Sequence, residues 1–223
     1  MTDPTGSAVH DAPPATDIAP HRPAVRRLSY LVAIGGVLVV LELPVLGALG
    51  RLAGIGLVVA GVLALRGRAV DPAARARLTA AAVMSVAVAG TVVVLGLVTL
   101  TMGTGTQPPA WAETTAIAQT VLGILGSVLL AVGMARELAG RNRPEAEDAW
   151  WLVALAVALI HGPILVAALL THLAGRPGGV YGPAAIALFL VAIVPYLLVA
   201  RAGRHSDPPA PRTRPQPAPP PRF

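Results

Sequence analysis

The chain predicts an all-α fold: a polytopic integral membrane protein, a bundle of six transmembrane helices paired as three hairpins, with N- and C-termini cytoplasmic. Three observations carry this. Apolar residues make up 55% of the sequence and charged residues 13%, with mean hydropathy +0.69; no water-soluble domain of 223 residues hides that much apolar surface in one core. The apolar residues fall in runs long enough to cross ~30 Å of hydrocarbon at ~1.5 Å per residue. All 17 basic residues are arginines, and 15 of them lie in alternate gaps between the runs, the positive-inside pattern of an inner (plasma) membrane protein.

Residues 1–27 hold Pro4, Pro13, Pro14, Pro20 and Pro23 among small and acidic residues without apolar periodicity. They predict a disordered Pro-rich cytoplasmic arm, ending in Arg22, Arg26 and Arg27. No small-residue cleavage site follows the first apolar run, which is therefore read as a retained helix. Residues 28–65 are apolar except for Ser29, Glu42 and Arg51, too long for one span and enough for two of ~17 residues each. Arginine parity demands the second crossing, because a single one would set Arg66, Arg68, Arg75 and Arg77 opposite Arg22, Arg26 and Arg27. Span one is thus 28–46 and span two 51–65, broken at residues 46–51.

Spans three to six follow at 78–102, 113–135, 149–173 and 180–200. The gaps on one side then carry three, four, three and five arginines, against one, none and one on the other. Tyr30, Trp150, Trp151 and Tyr196 are expected as anchors at the inner interface, Trp111 and Tyr181 at the outer. The inward-running helices end alike: Arg66, Gly67 and Arg68 before Asp71 and Pro72; Arg136, Gly140 and Arg141 before Pro144; Arg201, Gly203 and Arg204 before Asp207 and Pro208. A triplicated hairpin would do this, but so does the ordinary helix stop, with Arg at the negative dipole end, a Gly cap and then Pro; the ordinary stop is the simpler reading. Glu145, Glu147 and Asp148 suit the first turn of span five, where Arg143 and Glu147 form an i,i+4 pair. Residues 201–223 predict a disordered Pro/Arg-rich cytoplasmic tail, with eight prolines after Arg204. Within it Pro217, Ala218, Pro219 and Pro220 have PxxP spacing, which docks aromatic grooves but arises freely in such tails.

Ionisable groups in hydrocarbon are costly and point to function. Glu42 and His161 qualify, at depths of roughly 21 and 18 Å from the inner face. Thr91 in span three and Gln119 with Thr120 in span four share that level, so Glu42, Thr91, Gln119, Thr120 and His161 form a candidate buried polar layer. Glu42 and His161 each precede a proline by two, and Pro44 and Pro163 release the carbonyls of Val40 and Leu159 as further acceptors. Wheel positions place Ala154, Ala158, His161 and Leu165 on one face of span five, and Ala116, Thr120, Gly123 and Ser127 on one face of span four; such small-plus-polar faces pack inward. Plainer readings stand beside this one: Glu42 solvated near the outer interface, His161 a neutral core histidine, and the hydroxyls bonded within their own helices.

Several chemistries are excluded. With no cysteine there is no disulfide, thiolate metal site or dithiol redox centre. His161 and His172 share one helix ~16 Å apart, which does not ligate haem. There is no HExxH, GxSxG, P-loop or paired-Asp metal motif, so no cofactor and no metal is predicted. Arginines beside apolar runs without interleaved aromatics indicate anionic lipid rather than nucleic acid. The leading expectation is a small permease or the membrane subunit of a transporter, with Glu42 and His161 exchanging a coupling cation or proton. The alternatives are an interaction or assembly protein, using small-residue helix faces or the Pro-rich tail for a membrane or cytoplasmic partner, and a membrane-embedded enzyme on a lipophilic substrate with Glu42 as acid and His161 as base.

Overall fold

The structure is a computed structural model that describes residues 24–40, 47–102, 110–173 and 183–207. It is all-α among these residues, with six helices: α1 (Val25–Val40), α2 (Gly47–Arg66), α3 (Pro72–Met102), α4 (Ala110–Gly140), α5 (Pro144–Leu173) and α6 (Pro183–Ser206). Four of them, α2 to α5, are long and apolar enough to cross a membrane. Both terminal arms lie outside the described residues, apart from Ala24 to Arg27 and Arg201 to Asp207.

The helices close into a ring. Each packs on its neighbours in sequence, and α1 packs on α6. One end of the ring gathers the start of α1 with the end of α6, the end of α4 with the start of α3, and the start of α5 with Asp207. Successive helices therefore run in alternating directions, as links this short impose on packed neighbours. Every described arginine except Arg51 belongs to the helix ends gathered there. Burial concentrates at the same end, where Leu28, Leu65, Leu78, Met134, Leu138 and Trp150 form one core with Val199 and Ala202. Outward faces remain apolar, as at Val83, Val86, Val93, Leu97, Leu155, Leu159 and Leu197, a surface that needs hydrocarbon as solvent.

The helices outrun the apolar spans at the arginine end. α3 starts at Pro72 rather than 78, α4 runs to Gly140 rather than 135, α5 starts at Pro144 rather than 149, and α6 runs to Ser206 rather than 200. Hydropathy marks where lipid ends, whereas a helix ends where its backbone finds caps. For the same reason Arg51, assigned to the break between spans one and two, lies in the second turn of α2. The stop of α4 also differs. Gly140 is helical, and the left-handed residue is Asn142 (φ 54°), with Asn142 N donating to the Ala139 carbonyl at 3.0 Å and Arg143 N to the Leu138 carbonyl at 3.1 Å. This is the Schellman pattern, satisfying two carbonyls that the helix end leaves open.

Candidate functional site

Inside the ring lies a cavity to which all six helices contribute walls: Val32 and Gly36 from α1, Val58 and Val62 from α2, Ser85 and Val88 from α3, Gly123 and Ser127 from α4, Val153 and Val157 from α5, and Pro195 and Tyr196 from α6. Its volume is about 70 Å³, room for a few waters or a solute of that size. Valine is the commonest lining residue. β-Branched side chains hold one rotamer in a helix, so these walls are stiff.

Tyr196 is the main polar group on the wall. Its hydroxyl reaches the Ser127 side chain, and its ring stands edge-on to His161 with centroids 6.3 Å apart and planes at 73°. Gly36 makes this possible, because a Cβ there would fall on the Tyr196 ring. Pro195 has no N–H, so the Val191 carbonyl one turn earlier loses its helical donor beside the cavity. Ser85 and Ser127 donate to the Ala81 and Gly123 carbonyls, both at 2.9 Å, leaving their oxygens as acceptors toward the interior. A phenol, two hydroxyl acceptors and an apolar wall suit a small neutral molecule. Neither carboxylate nor imidazole lines the cavity itself.

Gly123 and Ser127, read from sequence as part of an inward face of span four, line the cavity; of the candidate polar layer, His161 stands against a lining residue, Tyr196. His161 is half-buried behind Tyr196; among the described residues its Nδ1 is buried without a partner in hydrogen-bond geometry, with the Val157 carbonyl one turn back within electrostatic reach. Thr91 is half-buried and donates to the Val88 carbonyl at 2.7 Å, while Thr120 is exposed and donates to the Ala116 carbonyl at 3.0 Å. Gln119 is half-buried on the next position of α4. Glu42 and Pro44 lie outside the described residues. On the inward face of α5 are Trp150, Val153, Ala154 and Val157, whereas Ala158 is exposed. Among the described residues no group of three or more His, Asp or Glu stands close enough to hold a metal ion.

Two aromatic anchors move. Tyr196, expected at the inner interface, lines the cavity. Trp150, expected beside it, is fully buried (0% exposed) and donates its indole N–H to Ser206 Oγ at 2.9 Å. Trp151, its neighbour, is 48% exposed. Adjacent tryptophans on a helix differ by ~100° in direction, so they cannot both face the same surroundings.

Beneath the cavity the arginine end is closed by two carboxylates: Glu137, which sequence reading passed over, and Asp207, which it took only as part of a helix stop. Glu137, only 5% exposed, accepts from Val70 N at 2.9 Å and Asp71 N at 3.0 Å and pairs with Arg141 at 2.7 Å. It thereby caps the start of α3 from the end of α4. Asp207 caps α1 from the end of α6, accepting from Val25 N at 2.8 Å. The sequence signal was an acid flanked by arginines at a helix end, which a like-looking surface pair would also give. No family model, curated protein or solved structure matches the chain.

Proposed function

We propose that the chain is a small permease, or the membrane subunit of a transporter, that passes a small neutral solute through the six-helix ring. In this reading all six helices cross the inner (plasma) membrane, the arginine-rich end and both termini are cytoplasmic, and the cavity opens alternately to the two sides. The observation that carries it is the cavity walled by every helix of a closed ring, with tight packing beneath it at the arginine end. His161, behind Tyr196, is the group placed to take up or release a proton during transport, with Glu42 as its sequence-level companion.

The absence of cysteine makes the test direct. Thr114→Cys and Ala139→Cys mark opposite ends of α4, and Ser127→Cys marks the cavity. In intact cells a membrane-impermeant maleimide should label Thr114→Cys but not Ala139→Cys. Ser127→Cys should react from one side in resting membranes and from the other when the gradient is reversed. A Ser127→Cys chain inert from both sides in every condition would remove the permease reading, and labelling of Ala139→Cys in intact cells would invert the topology.

A further inference from the structure

A second concavity, of about 500 Å³, lies on the flank of the ring at the arginine end, where α3, α4 and α5 meet. Asp71 and Arg77 form one side, Arg136 and Ala139 the floor, and Glu147 with Trp151 the other side. Two of its charges already answer each other: Arg136 Nε donates to Asp71 Oδ2 at 3.0 Å, yet the Arg136 side chain is 56% exposed, so its outer N–H groups face the groove opening. Glu147 accepts from the Trp151 indole through Oε1 at 3.3 Å, and a carboxylate has further lone pairs to offer. Arg77 is different. It lines the groove and makes no ion pair among the described residues; its NH1 is closed off from solvent without a hydrogen-bond partner among them, so it is the remaining nitrogens of the guanidinium that can meet a phosphate.

We propose that this groove binds the headgroup of a phospholipid with a phosphoethanolamine headgroup, the phosphate on Arg77 and Arg136 and the ammonium on Glu147. The charge pattern selects this class. Two guanidiniums within one groove match a phosphate, which accepts forked N–H donors. Two carboxylates beside them repel a purely anionic headgroup but welcome a primary ammonium one ethylene away from the phosphate. Trp151, exposed on the groove's edge, gives the amphipathic ring that sits at headgroup level, and the apolar outer faces of α3 and α5 continue beyond it as a track for acyl chains. The assignment rests on the chain being a membrane protein and is independent of transport.

The test is native mass spectrometry of the full chain, delipidated in mild detergent and titrated with dioleoyl phosphatidylethanolamine, phosphatidylglycerol or phosphatidylcholine. The wild type should hold phosphatidylethanolamine most tightly. Arg77→Gln should weaken it about tenfold, the loss of roughly one charge-assisted contact, while Arg77→Lys, which keeps the charge and guards against loss of fold, should retain most binding. Glu147→Gln should erase the preference over phosphatidylglycerol, and Arg201→Gln, remote from the groove, should change nothing. Equal binding of the three lipids by the wild type, or wild-type binding by Arg77→Gln, would overturn the proposal; so would soluble phosphoethanolamine binding as tightly as the lipid. Because binding is read in detergent, a negative result counts against the groove and leaves the permease reading to the cysteine experiment.

Discussion

Glu137 shows how much one side chain holds together. Its carboxylate satisfies two backbone amides at the start of α3 and anchors Arg141, whose NH2 in turn reaches the Arg68 carbonyl at 3.0 Å. Glu137→Ala would orphan those amides and free a neighbouring cation, so we expect a loss of roughly 2–3 kcal/mol, read as a lower melting temperature in detergent; an unchanged melt would mean water replaces the carboxylate at no cost. Asp71 titrates in a defined direction. The Ala73 amide first of all holds its carboxyl below the usual carboxylate range; desolvation opposes this, and the Arg136 guanidinium and the Ala74 amide add to the lowering. The folded pKa is depressed, so this contribution is fully present above the unfolded value of about 3.9 and fades as pH falls through the folded one. A melting series from pH 6 to pH 3 should therefore fall less steeply at its acid end in Asp71→Asn than in the wild type.

At the scale of the element, α4 ends through one left-handed residue. Asparagine tolerates that conformation, glycine adopts it freely, and a β-branched residue does not. Asn142→Gly should be neutral or slightly stabilising, and Asn142→Val should cost about 1–2 kcal/mol. Equal melts for the two variants would show that the cap is not what stops the helix. The start of α3 is built differently, from Asp71 accepting the Ala73 amide at 3.0 Å and Pro72 in the first turn. Asp207 provides the corresponding service at α1, but from the far end of the chain. Arg143 does not pair with Glu147 in the way the i,i+4 spacing suggested: it donates to the Asp207 carbonyl at 2.9 Å, while Glu147 turns to Trp151. The tertiary partner is in place at no further cost in loop closure once the ring exists, so the local pair loses.

For the whole molecule, the contact of α1 with α6 is what turns a row of helices into an enclosure. Gly203 lets them meet, since a Cβ there would strike the Ser29 side chain, and Arg204 Nε donates to the Tyr30 hydroxyl at 2.6 Å across the same seam. Gly203→Leu should force the seam apart at a cost of about 1–3 kcal/mol and, if the ring carries the solute, should let Ser127→Cys react from the arginine-rich side without any gradient. A melt and a reactivity pattern identical to the parent would show that closure of the ring matters to neither.

An all-α chain with long apolar helices, and the gathering of arginines at one end of the described helices, were legible in the sequence, because both apolar burial and positive charge leave one-dimensional marks. Helix rotation was not. α3 and α5 are apolar nearly all the way round, and a helix without a polar face carries no periodic record of which side meets protein and which meets lipid. That is why Trp150 on α5 read as an interfacial anchor although it is fully buried; Tyr196 on α6 read as another, although it lines the cavity. Glu137 was not legible for a different reason: the amides it accepts from, Val70 and Asp71, lie 67 and 66 residues away in the chain. The sequence by itself determined where the chain is apolar enough to prefer lipid; only the tertiary structure decided what the helices enclose, because enclosure depends on pairs of residues far apart in the chain whose contact no local pattern encodes.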